Sequence, residues 1–115
     1  MNNRIKYIFV KNARVSPVQA DIDVTVYPET LSSGIEVRGR LVGPTCVYAS
    51  TVEVAYPLRE SSREKESTPH ISLRAIIPEP SLWDQKSPFL YRLVLELWQD
   101  GKLCDQKSLM HAIKH

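Results

Sequence analysis

Apolar and polar residues alternate with a period of two in run after run of this chain. Residues 21–27 set Ile22, Val24 and Val26 against Asp21, Asp23 and Thr25. Residues 35–42 set Ile35, Val37, Gly39 and Leu41 against Glu36, Arg38 and Arg40. Val52, Val54 and Tyr56 alternate with Thr51 and Glu53, and Ile71, Leu73 and Ala75 share a face in 70–77. The longest pattern is 90–99, where Tyr91, Leu93, Leu95 and Leu97 oppose Arg92, Val94, Glu96 and Trp98. Residues 5–10 and 102–113 add two more β-rich runs. Successive side chains of a strand point to opposite faces, so each alternating run predicts a strand with one face on a core. No window keeps a helical period over three turns.

Turn residues separate the runs: Ser16-Pro17, Pro28-Glu29, Ser32-Ser33-Gly34, Gly43-Pro44, Pro57, Pro78-Glu79-Pro80 and Asp100-Gly101. Asp-Gly between two apolar runs predicts a tight hairpin joining Gln99 to Lys102. Residues 59–69 are polar, mixed in charge and aperiodic, and read as a solvated loop. A chain of 115 residues with 43% hydrophobic content can bury one core. The expectation is all-β: an immunoglobulin-like antiparallel β-sandwich of about seven strands, as one domain over residues 1–115.

Prolines 78, 80 and 88 lack the N–H that a sheet ladder needs, which makes residues 78–88 an extended crossover. Leu82 and Trp83 then have no sheet face of their own. The predicted place for Trp83 is the open end of the sandwich, as a plug between the layers. On the far face of the 90–99 strand, Trp98 covers a surface or meets a partner.

The composition excludes several functions. Net charge is +2 with both signs dispersed, which is no nucleic-acid footprint. No stretch approaches the roughly 18 apolar residues of a membrane helix. The first residues lack a signal-peptide core, which implies a cytoplasmic chain if it is free-standing. Cys46 and Cys104 are too few for a disulfide framework and read as free thiols, with a bridge between distant strands as the alternative. His111 and His115 have i, i+4 spacing, but on a predicted strand their rings diverge and the metalloprotease Glu is missing, so no metal or cofactor is expected. Acidic residues on the strands, Asp21 and Asp23 among them, are expected to be solvated. Exposed Trp98 and Tyr27 are the candidates for stacking on a glycan or meeting a protein.

Residues 77–108, IPEPSLWDQKSPFLYRLVLELWQDGKLCDQKS, resemble the C-terminal half of the immunoglobulin-like domain of family 2 glycoside hydrolases, the β-galactosidase, β-glucuronidase and β-mannosidase family. Leu82 and Trp83 match its proline-flanked Leu-Trp, and Pro88, Leu90 and Tyr91 match its Pro-x-Leu-Tyr. Where the family closes on Gly-Phe-Arg, this chain has Ala112-Ile113-Lys114. In that family the sandwich is an accessory domain beside a catalytic barrel that carries both catalytic glutamates. The resemblance implies a non-catalytic bracing domain that is not itself an enzyme, with neighbouring domains of a parent hydrolase as partners. A free-standing module that binds glycan or protein is the alternative. Homodimerisation by edge-strand pairing is a further expectation.

Overall fold

The computed structural model describes residues 3–115. It contains seven strands: β1 (Ile5–Val15), β2 (Gln19–Pro28), β3 (Ile35–Thr45), β4 (Val54–Glu64), β5 (His70–Pro78), β6 (Leu90–Gln99) and β7 (Lys102–His111). All pairings are antiparallel, in the order β1-β2-β5-β4-β3-β6-β7. The sheet is curled into two layers, and β4 belongs to both. Its first half pairs with β3, ending at Gly39↔Leu58. Its second half pairs with β5, starting at Arg59↔Arg74. Pro57, read as a turn from sequence, lies one residue before that switch. The seven-strand, all-β expectation holds.

The inward faces match the alternation. Ala20, Ile22, Val24 and Val26 of β2 and Ile71, Leu73, Ala75 and Ile77 of β5 are buried in one layer. Ile35, Val37 and Leu41 of β3 and Tyr91, Leu93, Leu95 and Leu97 of β6 answer them from the other. Burying each such side chain contributes about 1.5–3 kcal/mol. Gly39 marks a close approach: a Cβ there would sit 2.7 Å from Leu95 Cδ2 and 2.9 Å from Leu58 Cδ1. Asp100 and Gly101 have φ of +50° and +80°, the two positive values a type I′ hairpin turn requires.

The strands differ from the sequence reading in two places. Residues 59–64 are strand, not loop, and β4 begins at Val54 rather than at Thr51. Leu58 is the only buried residue of β4, so its pattern lacks the alternation that announces a strand, and main-chain pairing to two partners holds it. Val52 and Val54 are accordingly exposed rather than in the core. The Gly43-Pro44 pair lies within the end of β3 instead of a turn.

The two edge strands meet through side chains. The Ile5 N–H donates to Asp105 Oδ2 at 2.8 Å. At the opposite end of β1, His111 Nε2 lies 2.6 Å from Asn12 Oδ1, and Asn12 Nδ2 donates to the Ala112 carbonyl at 3.3 Å. With Asn12 oriented by that second bond, Nε2 carries the hydrogen and donates. Burial lowers the His111 pKa from its ordinary value of 6.5. The unfolded chain therefore takes up this proton at higher pH than the folded chain does. This contribution is fully present above the unfolded pKa and is lost as pH falls through about 6.5 toward the folded value. Urea midpoints between about pH 8 and about pH 5.5 should fall for the natural chain, and His111→Gln should flatten that part of the profile.

Candidate functional site

The Leu-Trp and Pro-x-Leu-Tyr residues gather at one end of the sandwich. Tyr91 enters the core at the start of β6 and is 1% exposed. Its hydroxyl accepts the Ser81 N–H at 2.9 Å, and its ring meets Tyr56 edge-on at 6.4 Å. Tying a buried tyrosine at a strand start to upstream backbone is the logic of the tyrosine corner of immunoglobulin-like sandwiches. Leu82 packs against the core from its margin, and Pro88 and Leu90 are half-buried.

Trp83 is placed differently from the sequence expectation. It is half-buried and does not lie between the layers. Its main-chain N–H donates to the Ile113 carbonyl at 2.9 Å, and the Lys114 ammonium sits 4.4 Å from the ring centroid. The fully buried groups here are Tyr91 and Ile113.

The outer faces hold the other candidates. Trp98 is half-buried, with the Arg38 guanidinium 4.3 Å from its ring centroid and its Nε1–H on Glu96 at 3.1 Å. Arg38 also pairs with Glu36 at 2.7 Å. Tyr27, on the opposite layer, lies between Tyr7 at 6.3 Å and His70 at 5.4 Å. The structure thus keeps Trp98 and Tyr27 on separate faces.

Asp21 corrects the reading of solvated strand acids, being only 8% exposed. It accepts from Gln19 Nε2 at 2.9 Å and lies 3.9 Å from Arg74. Arg74 binds Asp23 through two hydrogen bonds of 2.6 and 3.0 Å. Both carboxylates are thus engaged by one guanidinium. Glu60 and Arg63 form a second pair at 2.6 Å; the hydrogen bond from Arg63 holds the Glu60 carboxyl below its usual range. Both cysteines are free thiols. Among the described residues no group of three His, Cys, Asp or Glu side chains could hold a metal ion. Sequence reasoning missed the Asn12–His111 and Ile5–Asp105 bridges, because residues about a hundred positions apart leave no periodic signal.

The sequence model of the glycosyl hydrolases family 2 matches residues 3–113, nearly the whole chain. The chain belongs to glycosyl hydrolase family 2. Solved structures of family 2 enzymes share the fold. A member from Bacteroides cellulosilyticus aligns with a TM-score of 0.70 and 19% identity, over 96% of this chain and 15% of its own. A Bifidobacterium dentium β-glucuronidase aligns with a TM-score of 0.67 and 20% identity, over 97% of this chain and 18% of its own. A Bacteroides vulgatus β-glycosidase gives 0.63 and 19%, over 97% and 13%. The chain therefore spans less than a fifth of the length of these family 2 structures. Comparison with curated protein sequences gave no match.

Proposed function

We propose that this family 2 chain is a non-catalytic sandwich that spaces and braces neighbouring domains of a glycoside hydrolase. The observation that carries the reading is the asymmetry of the alignments: the whole chain corresponds to one small part of much longer enzymes. The side chains support it. Retaining glycosidases place two carboxylates roughly 5 Å apart, one of them kept protonated. Here the Asp21 and Asp23 carboxylates both face the Arg74 guanidinium, at 3.9 and 2.6 Å, and are taken up in a structural ion pair.

The partners are the neighbouring domains of that hydrolase. Homodimerisation by edge pairing is the weaker reading. β1 carries register irregularities between Ile5 and Tyr7 and between Asn12 and Arg14, and β7 carries one opposite Leu97 and Trp98. Bulges and charged residues such as Lys6, Lys11 and Lys107 are devices that block edge-to-edge addition.

Excising residues 3–113 from a hydrolase that carries this domain tests the bracing role. The melting temperature of the remainder should drop while the chemistry of its active site persists. An unchanged melting temperature would remove the proposal.

A further inference from the structure

The outer face of the β1-β2-β5-β4 layer carries a groove that neither the core nor the bracing role requires. Register places Phe9 opposite Thr25, and Thr25 opposite Ser72. The next outward row is Lys11, Asp23, Arg74 and Arg59. Between the rows lies an open groove of about 440 Å³, lined by Phe9, Thr25, Ser72, Lys11, Asp23 and Arg74.

Three features of the lining narrow what it could hold. Phe9 is 60% exposed and brings an aromatic side chain to the groove wall. Two hydroxyls, Thr25 and then Ser72, continue the row from Phe9 across β2 and β5. The lining cations, Lys11 and Arg74, outnumber its one acid, Asp23, and Arg74 is engaged by Asp23 and Asp21. Lys11 enters no ion pair among the described residues.

We propose that this groove is a surface site for an acidic sugar, a pyranose ring that bears a carboxylate. The apolar C–H face of the ring lies on Phe9, and its hydroxyls exchange hydrogen bonds with Thr25 and Ser72. The carboxylate accepts from the Lys11 ammonium. Phe9 and Lys11 are two residues apart on one strand face, about 7 Å, the reach of one sugar ring with its carboxylate. The site goes beyond the bracing role and does not depend on it.

The test is a titration of the ¹⁵N-labelled 115-residue chain with trigalacturonic acid, followed by amide NMR. Its methyl ester and sodium acetate serve as comparators. Saturable shifts centred on Phe9, Lys11, Thr25 and Ser72 are expected with the acid, and weaker ones with the ester. Lys11→Gln should weaken the acid by about two- to fivefold, the worth of one exposed ion pair, and leave the ester unchanged. Phe9→Ala should abolish binding of both with the spectrum otherwise intact, since that ring lies outside the core. No shifts with the acid up to about 10 mM would overturn the site. So would equal binding of acid and ester, the same shifts with acetate alone, or shifts that map to another face.

Discussion

Tyr91→Ala is expected to be the most damaging single substitution in the chain, at about 3–5 kcal/mol. The ring is fully enclosed at the start of β6, edge-on against Tyr56, so its removal leaves a cavity in the core. A domain of this size has about 5–15 kcal/mol of stability in total, so the melting temperature should fall by roughly 12 °C or more. Tyr91→Phe separates the two contributions. It keeps the ring and removes the acceptor for the Ser81 N–H, at a cost of about 1 kcal/mol. If Phe were as harmful as Ala, the hydrogen bond and not the ring would hold this end together.

The second large effect concerns Ile113 and reverses the ranking of side-chain size. Ile113→Ala should cost about 2–4 kcal/mol, because the side chain is wholly buried. Trp83→Ala should cost less, about 1–2 kcal/mol. It loses part of a half-exposed surface and the Lys114 contact over the ring, which is worth about 0.5–1 kcal/mol. Urea midpoints of the two variants decide the matter. A larger loss for Trp83→Ala would mean that the indole is the stopper after all.

Much of the sandwich is legible in the sequence because burial on one face forces a period of two. β2, β3, β5 and β6 announce themselves in this way, and the Asp100-Gly101 turn fixes the last hairpin. β4 does not, since a strand that changes partners halfway and buries little beyond Leu58 has no side-chain periodicity to display. The end of the sandwich was half legible. Leu82, Trp83, Pro88, Leu90 and Tyr91 are readable as a motif, but size alone misassigns the innermost group. Which side chain goes deepest follows from packing across the whole fold. Asp21 shows the same limit. Its parity puts it on the outer face, yet Gln19 and Arg74 cover it. The groove beside Phe9 draws on four strands, and no short window of sequence contains it.

The central proposal is that this family 2 sandwich holds no reaction centre. The most direct measurement is steady-state hydrolysis of chromogenic β-galactosides, β-glucuronides and β-mannosides by the purified 115-residue chain. The account predicts no turnover above the uncatalysed rate with any of them. Hydrolysis that proceeds with the chain and disappears on one carboxylate substitution, such as Asp21→Asn or Asp23→Asn, would contradict it.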